Sequence, residues 1–284
     1  MNKQAIRVSA DSTCDLSPEL LREYGIEILP LYVVMEGQAY KDGLEMTPDG
    51  IYAKVRETGK IGSTAAINVD EYLTFFTRMK ETCDALIHFT ISSEMSSCYQ
   101  NACIAASQVG GVYVIDSRSL STGIALQVLR ACELARKDMA AEVIVSYLRE
   151  MAARVDATFI PESLEYLKMG GRCSAATALS ASLLRIKPCI QVRDGKMVVG
   201  KKYTGSMESV LMKYVKDRLN NLEDVDLSRV FITHSGMTDP AIVDKVREAV
   251  LATAPFEDVL ISRAGCTVSM HCGPNTLGVL FCKK

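Results

Sequence analysis

The sequence predicts an α/β protein of two domains: an N-terminal parallel α/β sheet domain over residues 1–157 and a C-terminal two-layer α+β domain over residues 158–284. Three observations carry this reading. Short apolar runs alternate with helical patterns through the first half, which is the spacing of a mostly parallel sheet. In the second half Asp194-Gly195 separates two β-patterned runs, the strongest hairpin signal in the chain. A length of 284 residues also corresponds to two domains at about 150 residues each.

Each element has its own signal. Residues 6–10 are a strand ending at Asp11-Ser12-Thr13. Ser17-Pro18-Glu19 opens a helix, with Ser at the cap and Pro in the first turn. Residues 26–34 are a second strand, Thr47-Pro48 starts a helix to Thr58, and residues 59–67 are loop. Asn68 caps a helix to Thr82. Residues 85–90 are a buried strand, followed by Ser92-Ser93 and a helix from Met95 that Gly110-Gly111 breaks. Residues 112–115 are the next strand, ending at Asp116-Ser117, and residues 122–137 and 142–153 are consecutive helices. In the second half, residues 163–169 are a short helix stopped by Gly170-Gly171, and residues 174–184 a helix of small residues. Strands over 188–192 and 196–202 flank the hairpin turn. Helices over 206–219 and from Asp239-Pro240 to Ala252 alternate with strands at 230–234, 259–262 and 277–282. The domain boundary falls within residues 156–161.

Composition narrows the function. Hydrophobic residues make up 48% and charged residues 23%, as in a folded globular chain. Lys+Arg of 32 against Asp+Glu of 34 gives a net charge of -2, which argues against a nucleic-acid partner, because phosphate-backbone affinity needs a basic surplus. Trp is absent, so stacking platforms for sugars or bases are few. The ten cysteines show no C-x-x-C and no zinc-ligand spacing. They read as buried thiols of a protein in the reducing cytoplasm, with no metal or other cofactor. No apolar signal segment follows Met1. The long uncharged runs at 95–115 and 264–282 are too polar and too broken by turn residues for stable membrane insertion.

Three buried strands of the first half end alike, at Asp11-Ser12-Thr13, Ser92-Ser93 and Asp116-Ser117. A parallel sheet brings such ends to one edge, where ligands bind. Hydroxyls and free N–H groups at the following helix starts suit a phosphate or carboxylate. The plainer reading is three helix caps. Lys168-Met169-Gly170-Gly171-Arg172 ends a helix with two glycines where a C-cap needs one. The second glycine lets the backbone approach something closely, and Arg172 then either presents a fixed fork to an anion or sits in solvent. His271-Cys272-Gly273-Pro274 puts an imidazole in a turn before the last strand, while His88 and His234 read as structural. Ser93, Asp116 and His271 follow the chain order of an α/β-hydrolase triad, which would make the chain a serine hydrolase of acyl esters. The G-x-S-x-G elbow of that class is absent, as are Walker A and G-x-G-x-x-G motifs.

Taken in order, these motifs resemble the DegV family. Asp11-Ser12-Thr13-Cys14-Asp15-Leu16 is similar to its D-S-T-S-D-L. The run from Ile91 through Ser92-Ser93-Glu94-Met95-Ser96-Ser97-Cys98-Tyr99 to Ala102 is similar to its I-S-S-x-L-S-G-T-Y-x-x-A. Leu164 to Arg172 is similar to L-x-Y-L-x-x-G-G-R, Ile186-Lys187-Pro188 to I-K-P, and His271-Cys272-Gly273-Pro274 to H-x-G-P. The matches run from about residue 6 to 280. The resemblance implies a bacterial fatty-acid-binding protein without catalysis of its own. It would hold one long acyl chain in a buried tunnel, with the carboxylate between the two domains. It would present that acid to a separate ATP-dependent fatty acid kinase, which makes the acyl phosphate. Carried over by motif, the head-group residues are Thr64, or Ser63 if the loop slips by one, with Ser92, Ser93, Arg172 and His271. Asp11, Ser12, Asp116 and Ser117 lie in the neighbouring strand-end motifs. The sequence departs from the pattern twice: Ser97-Cys98 replaces Gly-Thr, and Gly200-Lys201-Lys202-Tyr203-Thr204 stands where relatives often carry an arginine associated with the kinase.

Overall fold

The computed structural model describes residues 4–173 and 186–284; the helix expected over 174–184 lies outside the described residues. Strands β1 (Gln4–Asp11), β2 (Glu27–Leu29), β6 (Cys83–Thr90) and β7 (Val112–Asp116) form a parallel sheet in the order β2-β1-β6-β7. Helices α1 (Pro18–Tyr24), α3 (Val69–Lys80), α4 (Cys98–Val109), α5 (Thr122–Ala135) and α6 (Ala141–Ala152) connect its strands or follow them. Local signals set several of these ends. Ser17 accepts from Leu20 N with Pro18 in the first turn, and Asn68 forms a reciprocal capping box with Glu71.

A second sheet, of six strands, has the order β10-β9-β8-β13-β11-β12. Its strands are β8 (Val155–Ile160), β9 (Ile186–Arg193), β10 (Lys196–Thr204), β11 (Val225–His234), β12 (Asp258–Arg263) and β13 (Leu277–Lys283). All of its pairings are antiparallel except β11 with β12. The boundary expected at residues 157/158 therefore falls inside a strand that belongs to this second sheet. Helices α8 (Met207–Arg218) and α9 (Ala241–Thr253) bury Val210, Leu211, Tyr214, Val243 and Val246 against Val230, Ile232 and Val279 of the sheet.

Helix α5 joins the two sheets. Ten of its 14 residues are buried, including Gly123, Gln127 and Leu129, so its buried surface runs around the helix instead of along one stripe. A helix apolar on all sides belongs in a core. It packs against β1 and β6 on one side and β8, β11 and β13 on the other. Thr122 Oγ1 lies 2.6 Å from Thr233 Oγ1 across the junction, and Gln127 Nε2 donates to Ser117 O at 2.9 Å.

Two expectations change. The strand expected over 26–34 is two strands in different sheets: β2 stays in the parallel sheet, while β3 (Tyr32–Met35) pairs with β4 (Gln38–Lys41). Pro30 explains the break, since it lacks an N–H and restricts the residue before it. The loop expected over 59–67 contains β5 (Ser63–Ala65), which completes a small antiparallel sheet in the order β4-β3-β5. Helix α2 (Pro48–Thr58) lies within this excursion.

Candidate functional site

The site is built on a short helix that the sequence pattern does not announce. His271, expected in a turn, sits in α10 (Cys266–Cys272). Seven residues with no side-chain cap of their own make a poor helix. Two distant acids supply what is missing. Asp42 accepts from Cys266 N at 2.7 Å and from Thr267 N at 2.9 Å, and Asp15 accepts from Gly265 N at 2.8 Å. These carboxylates satisfy the orphan N–H groups at the helix start and oppose its positive end. Ser12 steadies Asp42 with a 3.0 Å bond and accepts from Leu31 N, while Ser121 donates to Asp15 at 2.5 Å. Asp11 ties the ends of β1 and β6 together, accepting from Ile91 N at 2.8 Å and from Thr13 N at 3.0 Å. Burial pushes Asp11 up to about 6, against the pull of those donors, and pushes Asp15 well above the usual carboxylate range. The Asp11-to-Asp15 motif is thus a frame beneath the site.

On that frame α10 presents His271 to β5, where His271 Nε2 lies 2.8 Å from Thr64 Oγ1. Thr64 pairs with Val33 in the ladder, and Ser63, its neighbour, is exposed. The far side of the imidazole rests on α7 (Glu165–Gly170). A Cβ at position 170 would lie 2.1 Å from His271 Nδ1, so glycine is required there by the approach of the ring. Gly171 answers a backbone need instead. With φ +67° it ends α7 in the left-handed conformation, and a Cβ there would meet nothing. The two glycines then turn the chain so that Arg172 Nη1 donates to Gly170 O at 2.8 Å and Nε reaches Met95 O at 3.5 Å. Ser96 follows Met95, with its hydroxyl accepting from Cys98 N at 3.3 Å.

Thr64, His271, Arg172 and Ser96 all line a cavity of about 170 Å³. Most of the remaining wall is apolar, including Leu31, Ile91, Leu120, Met197 and Val268. A smaller cavity of about 30 Å³ shares Leu120, Val268 and Cys272 with it and continues between the sheets to Phe159 and Leu280. Burial, with Arg172 nearby, pulls His271 down to about 4, so the imidazole is neutral at pH 7. A neutral imidazole has one donor and one acceptor, and Arg172 supplies the positive charge. Among the described residues no group of His, Cys, Asp and Glu is arranged to hold a metal ion, and no helix is long and apolar enough to cross a membrane.

A profile described as "Uncharacterised protein, DegV family" matches residues 5–284. The chain belongs to the DegV family. A DegV domain-containing protein of Deinococcus radiodurans is 32% identical over 278 residues, covering 97% of each chain. The structure of a DegV family protein from Thermus thermophilus, named for fatty acid binding, matches with a TM-score of 0.88 at 29% identity, covering 99% of this chain and 100% of that one. A stearic-acid-binding protein from Eubacterium ventriosum matches with a TM-score of 0.82 at 26% identity, covering 100% and 99%.

In this DegV chain the motif serines divide. Ser92 and Ser93 do not line the cavity. The buried Ser92 hydroxyl donates to Gly195 O at 2.8 Å, and Ser93 Oγ donates to Asp116 at 2.5 Å. Ser117 turns back onto Ser119. The serines on the cavity wall are Ser96 and Ser97, a few residues further along the same DegV motif. The motif likeness pointed to the first pair, which directly follows a strand; the structure inserts a turn, in which Met95 N and Ser96 N both donate to Ser92 O, before α4 begins. Nor do the hydrolase-ordered residues assemble. Ser93 and Asp116 bond to each other with no imidazole between them, and His271 pairs with Thr64.

Proposed function

We propose that this chain binds a long-chain fatty acid, with its carboxylate at Thr64, Ser96, Arg172 and His271 and its tail in the apolar space beyond. The observation that carries the reading is the cavity itself, a mostly apolar chamber whose wall also carries Thr64, Ser96, Arg172 and His271. A buried carboxylate is costly without donors. With the His271 proton on Nε2, the ring donates to Thr64 Oγ1 and leaves the hydroxyl proton free for a carboxylate oxygen. Arg172 supplies the compensating charge, and Ser96 a further hydroxyl. Each buried methylene contributes about 0.8 kcal/mol, so a tail of about 15 gains roughly 12 kcal/mol before the costs of association.

The reading extends to a role without catalysis in the cytoplasm, as the acyl-presenting partner of a separate ATP-dependent fatty acid kinase. The family resemblance supports this, while the stretch Gly200-Lys201-Lys202-Tyr203-Thr204, standing where relatives often carry an arginine associated with the kinase, argues against it. Organic extraction of protein purified from bacteria, followed by mass spectrometry, tests the binding. About one fatty acid per chain is the expected result. Protein that carries none and takes up none from a fluorescent acyl titration overturns it. Adding a kinase and ATP and measuring acyl phosphate tests the presenting role separately.

A further inference from the structure

One groove shares no wall residue with the acyl cavity. It measures about 440 Å³, within the range of small-ligand sites, and strands of the six-stranded sheet form its wall together with α6 and the loop after β7. Cationic side chains converge on it from separate parts of the chain. Arg118 comes from the loop after β7, Arg149 from α6, Arg193 from β9, Arg218 from α8 and Lys283 from the end of β13. Two acidic residues face them. Asp156 is engaged by Arg218 and, at 3.2 Å, by Lys283. The carbonyl of Asp194 accepts from Arg118, whose guanidinium also lies 3.5 Å from Glu94. Arg149 and Arg193 form no ion pair within 4.0 Å among the described residues.

In a chain of net charge -2 this is a local excess. Like charges gathered around a concave wall repel one another, and the wall focuses their field on the space between them. Arginine predominates, and its planar fork matches two phosphate oxygens at once, whereas lysine acts as a point charge. No aromatic side chain lines the groove, so nothing there stacks on a base. We propose that this groove is a second ligand site, for a compact anion carrying two or more phosphate groups, with Arg149 and Arg193 as its main holding residues.

Calorimetric titration of the full chain at low ionic strength tests this. Inorganic pyrophosphate is the first probe, ADP the second, and sodium chloride of matched ionic strength the blank. Saturable binding of one pyrophosphate per chain is expected, falling at least tenfold in an Arg149→Ser, Arg193→Ser double variant. Both side chains are exposed, so the variant should fold. Arg22→Ser, exposed and outside the groove, should bind like the parent. Thr64→Ala should also bind pyrophosphate normally, which separates this site from the acyl site. Tighter binding of ADP would identify a nucleotide as the source of the phosphates, and equal or weaker binding a free phosphate compound. Absence of saturable binding by either probe, or equal affinity in the double variant, overturns the proposal.

Discussion

Gly170→Ala should damage ligand binding while leaving the fold intact. The backbone accepts alanine, because Gly170 lies inside α7 and only Gly171 beside it has a positive φ. Alanine is favoured over glycine in a helix by about 1 kcal/mol, which offsets part of the cost of displacing the His271 ring, so the loss of chain stability should be small. The new Cβ, however, would lie 2.1 Å from His271 Nδ1. Ordinary contact needs about 3.5 Å, so the ring must retreat by more than ~1 Å. The 2.8 Å contact to Thr64 cannot survive that displacement. Losing one neutral hydrogen bond costs about 0.5–1.5 kcal/mol, or about 2- to 13-fold in affinity, and leaving the Thr64 hydroxyl misdirected can raise the loss to about 3 kcal/mol. Displacement of a fluorescent fatty acid reads the affinity, and urea unfolding reads the stability. Gly171→Ala is the mirror control. Its φ of +67° strains a Cβ by about 1–2 kcal/mol, yet nothing lies within 4 Å. It should lose stability and keep its affinity. Parent-like affinity in Gly170→Ala, or equal affinity losses in the two variants, would refute the idea that the ring's approach selects the first glycine.

Thr64→Ala and Ser96→Ala should each weaken fatty-acid binding by about 1–3 kcal/mol, whereas Ser93→Ala should leave it unchanged because its hydroxyl is held by Asp116; the same displacement titration ranks the three. Asp42→Ala should cost about 2 kcal/mol or more in urea unfolding, since it strands two N–H groups at the start of α10, while Asp42→Asn should recover part of the loss. Burial pulls His88 down to about 3, so the unfolded chain takes up a proton near pH 6.5 that the folded chain refuses. Its contribution to stability is complete above about pH 6.5 and is lost as pH falls toward 3, a swing on the order of 4 kcal/mol. His88→Asn should therefore unfold less steeply with acid over that window, and parallel pH–stability curves would contradict the assignment.

The parallel sheet was legible because its signals are local: β1, β6 and β7 are apolar runs, and Ser17-Pro18 and Asn68 cap the helices after β1 and before β6. The Asp194-Gly195 hairpin was legible for the same reason, with both residues at positive φ. What escaped was non-local. Helix α10 owes its start to Asp42 and Asp15, more than 220 residues earlier, and no window of sequence contains both ends of that interaction. Strand β5 pairs with β3 across the whole of α2, and Pro30 separates two sheets with a single residue type. Within the site, Thr64, Arg172 and His271 came from motif likeness, and so did Ser92 and Ser93, which lie off the cavity wall. The choice between the two serine pairs depended on a turn at Ser92 that spacing does not encode.

The long reach of α10's anchors also fixes when the binding corner can exist. Asp15 and Asp42 are among the first residues made, and their partners Gly265, Cys266 and Thr267 among the last. Loop closure over such separations comes late, because its entropic cost precedes any reward. During synthesis the parallel sheet can form while Asp42 still lacks the helix it caps and Thr64 still lacks His271. The apolar cavity therefore closes only when the chain is nearly complete, and C-terminal truncations ahead of Gly265 should lose the proposed binding altogether, however well their first sheet folds.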